Sequence, residues 1–129
     1  MIGRLTTRRD AGAAVAEFAL VAAIVSLLFG AVLQLGYALH VRNTATAHVI
    51  EGARVGARAD ASTGAGVARA QQLLATTVPG SGASVSASRT VVGGVEVVQV
   101  AAELPLPVVG PWGLPGTMTV TGQAFAEDQ

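Results

Sequence analysis

The chain of 129 residues has no cysteine, which excludes disulfides and thiolate metal sites. It has no lysine either; all eight basic residues are arginine, and eight acidic residues cancel them. A chain with zero net charge has no field to gather a nucleic acid. Aromatic residues make up only 4% of the sequence. Alanine, valine and glycine dominate instead, so any core outside a membrane or a partner is thin. Proline is missing from residues 1–78, so no proline interrupts a helix there. The catalytic signatures are missing too. There is no phosphate loop, no Ser–His–Asp set and no metal-ligand spacing, and charged residues beyond the first twelve are few and scattered. The two histidines, His40 and His48, stand eight apart, whereas a zinc or catalytic pair wants one helical turn and a third ligand. They read as surface or packing residues. We expect no enzyme and no cofactor.

What the chain does have is one long apolar run. Residues 12–39 read GAAVAEFALVAAIVSLLFGAVLQLGYAL, with a single carboxylate, Glu17, near the start. As a helix, residues 18–39 rise roughly 33 Å, enough for a bilayer core of about 30 Å. Arg4, Arg8 and Arg9 precede the run, which places the N-terminus in the cytoplasm by the positive-inside bias. Arg42, Arg54 and Arg58 follow it and pull the other way. A cleaved secretory signal peptide fits poorly: the run is too long and no small-residue cleavage site follows.

Gly12-Ala13-Ala14-Val15-Ala16-Glu17-Phe18 resembles the type IV prepilin processing motif. That run, with Phe29-Gly30, Gly36-Tyr37-Ala38-Leu39 and Glu51-Gly52-Ala53-Arg54, resembles the TadE-like proteins over about residues 11–54. The closing Gln123-Ala124-Phe125-Ala126-Glu127 is similar to the ends of such proteins. The resemblance implies a minor pilin or pseudopilin of a tight-adherence pilus. It implies a prepilin peptidase cutting between Gly12 and Ala13, and other pilins and pilus assembly proteins as partners. It also implies a structural role for the helix motif of Glu51, Gly52 and Arg54.

An ionisable group at the edge of a membrane span is costly and asks for a partner. If the chain is cut after Gly12, the new ammonium of Ala13 on one copy can meet Glu17 of another, which would fix register beside Phe18. Alternatively, Glu17 lies at headgroup depth and complements the N-terminal helix dipole. Gly12 has a plainer reading as a flexible entry or cap to the helix.

Beyond the run, helical spacing continues to about Ala59. Val41, Ala45, Gly52, Val55 and Ala59 make a stripe of small residues, flanked by Val49 and Gly56. Arg54 can meet Glu51 three residues earlier. A rod of about 45 residues would measure roughly 65–70 Å, with Asn43 to Thr46 the place for a bend. After a break at residues 60–64, a shorter helix over about 65–76 offers Val67, Ala70, Leu73 and Leu74. Residues 84–92 and 95–104 flank Gly93-Gly94 and predict a hairpin. Its register would place Val91 opposite Glu96, Arg89 opposite Val98, Ala87 opposite Val100 and Val85 opposite Ala102. Arg89 and Glu96 are then diagonal neighbours. Residues 117–125 suit a third strand, with Met118 and Val120 on one side. The four prolines of residues 105–115 cannot join a sheet interior. Trp112, in that loop, is either a lid on a thin core or a partner contact.

The expected fold is α+β: a long N-terminal transmembrane helix, a short second helix and a three-stranded antiparallel sheet in a pilin-like head. Residues 1–12 would be the leader, 13–40 the span and 41–129 the exported head. The chain would sit in the cytoplasmic membrane as a single pass, N-terminus inside and head outside, with incorporation into an extracellular pilus as a further expectation. Two other readings share much of this: a secretion-system pseudopilin, and an uncleaved membrane-anchored binding module.

Overall fold

The computed structural model describes residues 6–109 and 115–127, and side chains from residue 12 onward. The element order is α1 (Thr6–Gly56), α2 (Thr63–Thr77), β1 (Ser84–Val92), β2 (Val95–Pro105) and β3 (Thr117–Phe125). The expected α+β architecture is present, and two of the three strands have the expected bounds. The chain divides into two units, Met1–Gly36 and Tyr37–Gln129.

The first unit is helix. Every side chain described in it is exposed or half-exposed, and none is buried. Its apolar residues point in all directions: Leu20, Val21, Ile24, Val25, Leu27, Leu28 and Phe29 are all exposed. A water-facing helix normally hides one apolar stripe and shows a polar one. This segment has no polar face to show.

The second unit has its own core. Residues Ala45, Val49, Ala53 and Ala57, four apart, are buried together with Ala70 and Leu74 of α2. Val98, Val100, Ala102 and Leu104 of β2 and Val120 of β3 complete the cluster. Helical hydrogen bonding runs without a break through residues 43–46, where a bend was expected. Thr46 spends its hydroxyl there on the Arg42 carbonyl, 2.8 Å away. The helix ends at Gly56, three residues before the expected Ala59, and a turn closed by Ala61 N and Arg58 O at 3.1 Å follows.

Helix α2 starts earlier than its apolar pattern, because Ser62 caps it. The Ser62 hydroxyl accepts from Ala65 N at 3.2 Å, satisfying a donor that the first turn leaves free. Gly66, Ala70 and Leu74 form its buried line. At its end Val78 N donates to Leu74 O, and Gly80 and Gly82 take positive φ.

The sheet order is β1-β2-β3, antiparallel throughout. Gly93 and Gly94 have φ of +61° and +83°, the two positive values a type I′ turn requires. The hairpin register is the one expected, from Val91 opposite Glu96 to Val85 opposite Ala102. It brings Arg89 to Glu96 at 3.2 Å, the ion pair anticipated as diagonal neighbours. One sheet face meets the core. Ser84, Ser86, Ser88, Glu103, Thr119 and Thr121 stay exposed on the other.

Candidate functional site

The residues singled out in the sequence fall into two groups, one in each unit. In the first unit, Gly12 lies inside α1, not ahead of it, since the helix already runs from Thr6. A Cβ added at Gly12 would meet nothing within 4 Å. Ala13 and Glu17 are exposed, and Phe18 is 76% exposed. Glu17 takes part in no ion pair among the described residues. Farther along, Ser26 donates to the Ala22 carbonyl at 2.8 Å, so its hydroxyl is satisfied within the helix. Residues 12–56 contain the one stretch among those described that is long and apolar enough to cross a membrane.

The second group, Glu51-Gly52-Ala53-Arg54, sits where α1 meets α2. A Cβ on Gly52 would come to 2.7 Å from Gly66 O and 2.8 Å from the Ala70 Cβ. A Cβ on Gly66 would reach 2.6 Å from Gly52 O. The two helices therefore touch backbone to backbone, which only glycine on both sides permits. Ala53 next to it is fully buried. Glu51 is half-buried and Arg54 exposed. The expected Glu51–Arg54 pair is not formed; Arg89–Glu96 is the recorded ion pair among the described residues. Arg54 lies in the last turn of α1, where a cation complements the helix dipole.

The buried stripe differs in detail from the expected one. Val55 and Ala59 are only half-buried, and Ala53 and Ala57 take their places. His40 is exposed. His48 is half-buried and ties the helices: its Nε2 lies 2.7 Å from the Thr77 hydroxyl. Thr77 donates its own proton to Leu73 O at 2.7 Å, so the bond from His48 runs from Nε2–H to Thr77. Burial first, and then the charge of Arg69, lower the His48 pKa below its ordinary 6.5.

Two contacts escaped the sequence reading. Gly122 in β3 lies against α1, where an added Cβ would come to 2.6 Å from Ile50 N. A glycine inside a strand is the usual mark of such an approach. At the chain end, Ala126 N donates to Glu96 O and Glu127 N to Ala57 O, both at 2.9 Å, which pins the segment after β3 to the end of α1. Trp112 lies outside the described residues.

No group of three or more potential metal ligands occurs among the described residues. What the arrangement offers is an uncovered apolar helix joined to a folded head. No curated protein and no solved structure matches the chain. Residues 12–54 match the family model described as TadE-like protein, so the segment that joins the apolar helix to the Gly52 crossing is TadE-like.

Proposed function

We propose that the chain is a structural membrane protein of a tight-adherence-type pilus system, a minor pilin or pseudopilin that takes part in pilus assembly. One observation carries this reading. The TadE-like match covers a helix whose first part is apolar on all sides and uncovered, and whose later part is keyed by Gly52 into a separate head. Such a helix needs lipid or other apolar helices around it. The apolar part anchors the chain in the cytoplasmic membrane, with Arg4, Arg8 and Arg9 inside and the head outside. A prepilin peptidase cuts after Gly12 and releases the ammonium of Ala13. Glu17, exposed and in no ion pair among the described residues, then receives that ammonium from a neighbouring subunit.

The test compares Glu17→Ala, Glu17→Gln and Gly12→Val in a host that has the peptidase. Mass spectrometry of the parent should find a mature chain starting at Ala13. Glu17→Ala and Glu17→Gln should insert and be cut yet lose assembly with partner subunits, since removing one side of a desolvated pair costs about 3–5 kcal/mol. Gly12→Val should keep its leader. Recovery of only full-length parent protein, or normal assembly of Glu17→Ala, would count against the reading.

A further inference from the structure

The head is polarised along α1. Strand β3 runs beside the helix in the same sense, from Gly122 on Ile50 to Glu127 bonded to Ala57. About five residues of chain thus advance alongside about seven of helix. Carried back equally far from Gly122, Thr117 falls level with about residue 43 of α1. At a full strand rise of ~3.3 Å against ~1.5 Å for the helix, it falls level with about residue 39. Leu106 and Gly116, joined N–H to carbonyl at 2.8 Å, therefore lie level with the end of the apolar run. That run stops at Leu39. Val41, two residues later, is only 4% exposed, so the head covers the helix down to this level.

The chemistry of the loop suits that place. Leu106, Val108 and Val109 are 38%, 44% and 53% exposed. No charged residue lies between Glu103 and Glu127, so immersion would desolvate no ion. Pro105, Pro107 and Pro115 carry no N–H, which leaves fewer backbone donors in need of a partner. The opposite end of the head carries charge as well. There Arg58, Arg89, Glu96 and Glu127 line a hollow of about 190 Å³.

We infer that residues 106–109 form a second membrane contact. They rest on the leaflet from which α1 emerges and place Leu106, Val108 and Val109 at the boundary of headgroups and acyl chains. This inference rests on the membrane-anchored reading above. The loop stays at the interface, because backbone outside helices and closed sheets is not tolerated in the hydrocarbon itself. The occupant is lipid and not a protein, because the patch is charge-free and lies level with Leu39, where the apolar run ends. Its consequence is a second point of attachment: helix and loop both contact the bilayer.

The absence of cysteine makes the test clean. Val108→Cys, Val92→Cys and Leu27→Cys are each labelled with an environment-sensitive fluorophore, and the full chain is reconstituted in phosphatidylcholine vesicles at several dilutions. Val92, at the far hairpin, is 53% exposed and serves as the aqueous control. The Val108 label should emit to the blue of the Val92 label, and aqueous iodide should quench it several-fold less, at every dilution. If Val108 is quenched like Val92 while Leu27 is protected, the inference fails and the anchor stands. Protection that disappears on dilution would identify contact between copies and overturn the lipid assignment. If all three labels are quenched alike, the anchored reading fails and takes this inference with it.

Discussion

Helix α1 runs through both units, yet its two parts behave differently. From Gly12 to Gly36, leucines, valines and phenylalanines stand exposed around the whole circumference. From Val41 onward alanine, valine and glycine are buried, while Arg42 and Arg54 stay exposed. The glycines mark the contrast most sharply. Gly30 and Gly36 have nothing within 4 Å of an added Cβ, whereas Gly52 has a backbone oxygen at 2.7 Å. A glycine in the first part is room left open to whatever surrounds the helix. A glycine in the second is a contact already used. Side-chain size is therefore under opposite constraints in one continuous helix.

The sharpest way to break this comparison is to put the same residue at both kinds of glycine. Gly52→Leu must separate α1 from α2, and overpacking a rigid site typically costs about 1–3 kcal/mol and occasionally more. With backbone on the far side, the upper end or beyond is expected, and the head should lose its cooperative unfolding transition. Gly30→Leu should leave that transition unmoved. Thermal unfolding of both variants in the same detergent, followed by circular dichroism, makes the comparison. Equal losses would mean that the Gly52–Gly66 approach is not tight.

A smaller effect tests the hairpin, where strain replaces packing. Gly94 has φ of +83° and nothing near an added Cβ, so Gly94→Val meets no clash but a forbidden backbone. A left-handed conformation costs an L-residue roughly 1–2 kcal/mol, and a β-branched one sits at the upper end. The melting temperature should fall, and by less than for Gly52→Leu. Gly94→Asn should recover part of the loss, because asparagine tolerates positive φ. A variant with valine as stable as the parent would remove the type I′ turn.

These two sites also show how far the sequence could be read. The hairpin was legible because Gly93-Gly94 between valine-rich segments is a two-residue hairpin signal, and closing it with Val92 and Val95 sets the register, and with it the Arg89–Glu96 pair. The apolar run was legible by length alone. The buried stripe was only partly so. Two surfaces pack on this stretch of α1: α2 against Gly52 and Gly56, and the sheet against Gly56 and Ile50. The buried arc is wider than a single stripe, and among small residues no change in size marks its edges. That is why Val55 and Ala59 were expected inside where Ala53 and Ala57 are found. Ser62 and Gly122 act through the backbone, as cap and close approach, and hydrophobic periodicity does not register either.

The smallest expected effect is one of pH, and it belongs to the second part of α1 alone. His48 donates to the Thr77 hydroxyl across the α1–α2 contact, with Arg69 of α2 the nearby charge. Burial and Arg69 both disfavour the imidazolium, so the folded pKa lies below the unfolded value of 6.5. Folding therefore favours neutral His48. The stability this contributes is fully present above the unfolded pKa and is lost as pH falls through the folded one. The Nε2–H donor survives protonation, so the hydrogen bond persists and only the cost of placing a cation beside Arg69 grows. His48→Gln keeps an N–H donor for Thr77 but cannot titrate. Between about pH 7.5 and pH 5 the parent's melting temperature should drop slightly more than that of His48→Gln. His40 is exposed, so His40→Gln should follow the parent. If His48→Gln and the parent show the same slope, the α1–α2 contact is indifferent to the charge on His48.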